Sequence, residues 1–389
     1  MTPVWLVLNI GSSTIKFGVY ACADGAPLAR GAIDGVGLAP RLNAVLQGAP
    51  AQIAVPPAMD DTRRLTRWLL ALLEDWLGPL DLRAAGHRVV HGGRDFGAPT
   101  LLTPEVIARL EALAPLAPGH QPFNLAGVAA VAEHWPGVPQ VGCFDTAFHQ
   151  HRPTVAKLYA LPRRYAEEGI LRYGFHGLSY DYIASRLPSV LGDRARGRVI
   201  VAHLGSGASL CAMQGLESVE TTMGFSALDG LVMATRCGQI DPGVLLHLLR
   251  QGMDAAELET LLARQSGLLG VSGLSPDMRS LLASDAPEAA EAVELFLRAV
   301  IRQIGALTAG MGGLDALVFT AGIGQHAPTV RARILQALAH LGLEMDAAAN
   351  DANATLLTVP GSRVTAAMIP TDEEAVILAG LQQCPGAAG

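Results

Sequence analysis

The chain has 389 residues, half of them hydrophobic and 16% charged, with a formal net charge of −7 at pH 7. That length exceeds what one core usually carries, so two domains are expected. The acidic balance argues against a nucleic-acid surface, and no apolar run approaches the ~20 residues of a membrane span.

The opening stretch reads as strand, turn and returning strand. An apolar run from Val4 stops at Asn9, turns through Gly11-Ser12-Ser13 and leaves through Ile15 to Tyr20. Glycine admits φ > 0, and small serines leave N–H and hydroxyl donors open to an anion. The start lacks a basic n-region, so it reads as a first strand rather than a signal peptide. Short strands with Gly/Pro turns are predicted through residue 60. A helix over 61–77 follows, with N-capping chemistry in Asp60-Asp61-Thr62 and Gly78-Pro79 at its end. A strand then runs into glycines over 86–93, with His87 and His91 on one face as structural residues. Thr103 caps a helix to about Leu113, and Pro115 to Asn124 reads as a loop before an Ala-rich helix to His134. The strand Val138 to Phe144 delivers Asp145.

The opening design returns in Val201 to Met213, with Gly11 matching Gly205 and Ser12 matching Ser206 about half a chain apart. Helices are predicted near 241–252, 254–264, 287–311 and 327–341, with a strand over 314–320 ending in Ala321-Gly322-Ile323-Gly324. The domain crossing is expected near 145–155, and the tail 382–389 frayed. Strand then helix, with glycine at the strand's carboxyl end, points to α/β architecture with ligands at those ends. Five scattered cysteines without C-x-x-C spacing read as reduced thiols, which points to a cytoplasmic protein. With Lys16 and Lys157 the only lysines, phosphate contacts must come mainly from Arg, backbone and metal.

No Walker A sequence, G-x-S-x-G or H-E-x-x-H occurs, and no full G-x-G-x-x-G follows a strand. The positive signals are polar residues at strand ends: Asn9, Arg88, Asp145, His176, His203, Arg236 and Glu373. In family order stand Asn9-Ile10-Gly11-Ser12-Ser13, His87 to Gly93, Phe144 to His149, Tyr173 to Gly177, His203-Leu204-Gly205, Met223-Gly224-Phe225, Thr235-Arg236 with Ile240-Asp241-Pro242, and Phe319 to Gly324. On these blocks the chain resembles the acetate kinases from end to end. The resemblance implies two duplicated ribonuclease H-like (actin-like) α/β domains, residues 1–148 with 374–389 and 149–373, with the active site in the cleft between them. It implies reversible transfer from ATP to acetate, with Mg²⁺ (Mn²⁺ as an alternative), in a homodimer. A kinase for a larger acid such as propionate, or a non-catalytic actin-like nucleotide module, are the rival readings.

Bringing two anions together makes such catalysis largely positioning and charge neutralisation, for which Arg88 and Arg236 are suited, planar and always charged. The resemblance makes Asp145 the catalytic carboxylate, His176 a transition-state donor and Asn9 with Glu373 the magnesium residues. Glu373 reads equally well as the solvated first turn of a helix, and Lys16, a nucleotide-site match, as a surface lysine. Also on the nucleotide side are His203, Leu204, Gly205, Ser206, Gly207, Asp277, Met278, Arg279, Gly322, Ile323, Gly324, Gln325 and His326. Several of these depart from the family pattern: Ser206, Met278, Gln325 and His326 replace its Asn, aromatic, Glu and Asn, and Tyr180 replaces the last His of H-G-T-S-H. The resemblance also implies a methyl pocket at Val90, Gly119, Phe175 and Ala227, where Gly119 and Ala227 replace the family's larger residues and imply a roomier pocket.

Overall fold

A computed structural model describes residues 2–387 apart from 52, 58 and 60. The chain divides into two compact units, Met1–Ala147 with Asp372–Gly389, and Phe148–Thr371.

The first unit is built on eight strands: β1 (Pro3–Ile10), β2 (Thr14–Ala21), β3 (Pro27–Asp34), β4 (Arg41–Leu46), β5 (Ala49–Ala51), β6 (Asp81–Val89), β7 (Thr100–Leu101) and β8 (Gln140–Phe144). Their order is β5-β4-β3-β2-β1-β6-β8-β7. The β1–β2 hairpin is antiparallel, with Asn9 opposite Lys16, whereas β1, β6 and β8 run parallel. Parallel strands are reached by crossovers whose helices cover the sheet, and β1 and β6 are accordingly buried along most of their length. The helix Thr62–Leu77 inserts Leu65, Leu69, Leu70 and Leu73 into the core. Asp61 caps it by accepting from Arg64 N at 2.9 Å; Asp60 lies outside the described residues. The C-terminal helix Glu373–Gln383 lies on β1, β6 and β8. It comes so close that a Cβ at Gly86 would stand 2.7 Å from Ile377 Cγ2.

The second unit repeats the plan with β9 (Arg198–Leu204), β10 (Ala208–Gln214), β11 (Glu217–Thr221), β12 (Ala316–Thr320) and β13 (Thr365–Met368), ordered β11-β10-β9-β12-β13. That order matches β3-β2-β1-β6-β8: an antiparallel hairpin pair, then parallel β9, β12 and β13. The helices predicted in this half are found at 242–250, 255–264, 287–310 and 328–337.

Four local expectations give way. Of the residues read at strand ends, His176 directly precedes a helix, Arg236 lies in a loop and Glu373 begins a helix. Strand β6 begins at Asp81 and ends at Val89, so His91 lies beyond it and shares no strand face with His87. The helix expected after Asn124 starts at Gln121, because Pro122 sits in its first turn, where proline's missing N–H costs nothing. The tail does not fray at Gln382: the helix runs to Gln383, and Cys384 and Ala387 are buried. Residues 388–389 lie outside the described residues.

Candidate active site

In the first unit, the carboxyl ends of three adjacent parallel strands converge. Asn9 is the penultimate residue of β1, Arg88 the penultimate residue of β6, and Asp145 follows β8. Arg88 Nε donates to both carboxylate oxygens of Asp145, at 3.0 and 3.1 Å, and Nη2 to Oδ2 at 2.6 Å. Arg88 Nη1 also donates to Asn9 Oδ1 at 3.2 Å, and Asn9 Nδ2 donates to Glu373 Oε2 at 2.9 Å. Burial raises the Asp145 carboxyl from its ordinary value, with the Arg88 guanidinium opposing. Burial likewise disfavours charge on Arg88, but Asp145 and Glu373 more than offset it, and the guanidinium stays protonated.

Of the two readings of Glu373, the structure shows the helix start. It is the first residue of its helix, after the cap Asp372, and it is bonded to Asn9. Glu374 lies beside it, its carboxyl raised by burial with Lys16 opposing, so exposed Lys16 faces this acidic group. Among the described residues no three His, Cys, Asp or Glu side chains could cage a metal. The all-oxygen donors of Asn9 and Glu373 fit a hard cation that keeps most of its waters, as Mg²⁺ does.

Two residues that the sequence reading placed in a loop hold this corner. Asn124 Oδ1 accepts from Val90 N at 2.9 Å, and its amide donates to Ile10 O at 2.5 Å. Gln121 pairs with His91 through both amide atoms, at 3.0 Å each. The helix start thus ties the residues after β6 to the end of β1. Burial lowers the His87 and His91 imidazoles to about 4, which fits structural, neutral rings. Val90 is buried, and a Cβ added at Gly119 would meet nothing within 4 Å.

The second unit gathers a second set of groups. His203 is the penultimate residue of β9, and the turn Gly205-Ser206-Gly207 closes with Gly205 N donating to Gly207 O at 3.0 Å. A Cβ at Gly207 would lie 3.1 Å from His176 Nε2 and 3.8 Å from Arg236 Nη1, so glycine leaves both groups room. A Cβ at Gly205 would lie 3.5 Å from Ala321, which begins the helix after β12. Arg236 Nη1 donates to Ala227 O at 3.1 Å. His176 adopts φ 59, ψ 23, the left-handed region, where histidine is more at ease than most side chains but still strained. The His176 and His203 rings stack at 4.2 Å, and their Nδ1 atoms meet Ser209 and Ser179, each at 2.8 Å. His149, held by Ser218 and Phe175 O, packs beneath Gly174. Neither Ser179 nor Ser209 was given a role in sequence, since a buried serine has no periodicity of its own, and His149 stood there only as the end of the Phe144 to His149 block.

The remaining nucleotide-side candidates divide. Ser206, Arg279, Gly322 and His326 are exposed, Ile323 and Gln325 are half-buried, and Leu204 and Met278 are buried packing residues. Asp277 caps the helix Met278–Leu282. Buried Arg331 donates to Gly324 O and Gln325 O, at 2.8 Å each, and so fixes that segment.

The sequence profile of the Acetokinase family matches residues 4–379. The chain belongs to the acetokinase family. It is 50% identical to an acetate kinase of Rhodopseudomonas palustris over 97% of both chains, and 46% identical to one of Methylocella silvestris over 97% and 96%. Among solved structures it is similar to the acetate kinase of Porphyromonas gingivalis (TM-score 0.85, 36% identity, 97% and 98% covered). It is also similar to a propionate kinase of Francisella tularensis (TM-score 0.89, 33% identity, 98% and 99% covered). No helix among the described residues is long and apolar enough to cross a membrane.

Proposed function

We propose that this chain catalyses reversible, Mg²⁺-dependent phosphoryl transfer from ATP to acetate, giving acetyl phosphate and ADP, in the cytoplasm. The observation that carries it is the Arg88–Asp145 pair at parallel strand ends, beside Asn9 and Glu373, in an acetokinase-family chain. An acetate oxygen bonds to the γ-phosphorus as the bond to the β–γ bridging oxygen breaks. Acetate is already ionised at neutral pH, so no general base is needed. Asp145 therefore serves by fixing the plane of Arg88, and Arg88 and Arg236 offset the charge of the in-line pair. His176 donates a hydrogen bond to the transferring group. Asn9 and Glu373 would hold Mg²⁺ through few protein oxygens; the cation would neutralise phosphate charge.

Propionate is the second acid, favoured by the open space at Gly119. Acyl phosphate trapped as hydroxamate, across acetate, propionate and butyrate with ATP, GTP and pyrophosphate as donors, tests both readings; no hydroxamate from any acid would refute them. We further propose a homodimer, supported by the helix Pro242–Arg250, which buries no residue fully and exposes Val244, Leu246 and Leu249.

A further inference from the structure

His176 is the first residue before the helix Gly177–Leu191, yet its side chain makes no cap bond there. It turns instead to Ser209 on β10, whose Oγ lies 2.8 Å from His176 Nδ1. Ser209 Oγ also lies 2.5 Å from the hydroxyl of Tyr180. Tyr180 stands one turn into the helix, on the same face as His176, and its N–H makes the first helical bond to His176 O at 3.1 Å. Both Tyr180 and Ser209 are fully buried. The phenol ring is held by Phe148, stacked at 6.4 Å, and by His149, edge-on at 5.5 Å.

We infer that Tyr180 and Ser209 are positioning residues for His176, holding its imidazole in the Nε2–H tautomer. The inference rests on the reading of His176 as a donor to the transferring phosphoryl group. Proton counting supports it. Ser209 Oγ is the one hydrogen-bond partner of the Tyr180 hydroxyl among the described residues, so a satisfied phenol must donate to it. Ser209 then has its own proton left, and His176 Nδ1 is the acceptor within reach. If Nδ1 carried the proton instead, two donors would converge on Ser209 and the serine proton would be stranded in a buried place. Burial, chiefly, raises the Tyr180 phenol well above its ordinary value, which keeps that proton in place. With Nδ1 accepting, Nε2 carries the hydrogen, and Nε2 is the atom 3.1 Å from where a Cβ on Gly207 would stand. The parallel His203 ring at 4.2 Å opposes rotation of the imidazole.

The test uses full-length protein labelled with ¹⁵N-histidine, the His176 signals being assigned by their loss in His176→Asn. Wild type should show Nε2 protonated and Nδ1 bare. Tyr180→Phe keeps the ring and removes one oxygen. It should give a mixture of tautomers, with kcat lowered about tenfold, one hydrogen bond's worth, and KM for ATP and acetate within about twofold. Ser209→Ala should do the same and carries the test if Tyr180→Phe does not fold. Unchanged tautomer and kcat in both variants while His176→Asn is inactive overturns the relay and leaves the donor role standing, whereas an Nδ1–H tautomer in wild type overturns both, since Nε2 is then bare. Full activity in His176→Asn removes the donor role, and the ¹⁵N signals then decide the relay alone.

Discussion

Replacing Asp145 with Asn removes one charge from a pair whose side chains are 16% and 2% exposed. Three N–H contacts from Arg88 are affected, and the new amide must point donors at a donor. Breaking a buried pair by removing one partner costs about 3–5 kcal/mol, mostly because the surviving charge is left uncompensated. Here Arg88 keeps Asn9 Oδ1 at 3.2 Å and the attraction of Glu373 and Glu374, so the low end applies, ~3 kcal/mol. At about 2–4 °C per kcal/mol for a unit of this size, Tm should fall by about 6–12 °C. A calorimetric scan of ligand-free protein reads the shift. The double variant Arg88→Met with Asp145→Asn removes the stranded charge and should recover most of the lost stability. Neither protein should regain hydroxamate-forming activity. A single variant that melts like wild type, or a double variant no more stable than the single, would refute the ion-pair account.

Arg236→Ala should lower kcat by about 10²–10³, and Arg236→Lys should recover little, since a point charge cannot replace a planar fork; steady-state rates near wild type in either would sink its role. Gly119→Leu fills space that a Cβ finds empty, so kcat/KM for propionate relative to acetate should fall by about 10-fold or more; an unchanged ratio places the acid elsewhere. His87, His91 and His149 are held by burial to about 4, 4 and 3. The unfolded chain therefore binds more protons below pH ~6.5, and the unfolding free energy should drop as pH falls to about 4, by up to ~1.4 kcal/mol per pH unit for each imidazole. Denaturant titrations from pH 7 to 4.5 would contradict this if stability stayed flat. Leu246→Asp with Leu249→Asp should yield monomers in sedimentation, and a dimer that persists would place the interface elsewhere.

The duplicated hairpins, the main helices and the strand ends carrying Asn9, Arg88, Asp145 and His203 were legible in sequence. Period-two and period-three-to-four burial are local properties, written within a dozen residues of each other. The acetokinase motifs were legible too, because each lies within a short stretch of chain. What sequence could not fix is which strand end faces which. Arg88 and Asp145 are 57 positions apart, and Asn9 and Glu373 are 364 apart. These pairings exist because parallel strands β1, β6 and β8 lie side by side and the last helix returns across them. The helix start at Gln121 was misread because its polar first turn looks like a loop until Gln121 and Asn124 are seen bonding His91, Val90 and Ile10. The Tyr180–Ser209–His176 chain was likewise invisible, since its bonds join a helix to a strand across sequence. Local patterning sets the elements; only long-range packing, which must satisfy every buried proton at once, selects the partners of their polar residues.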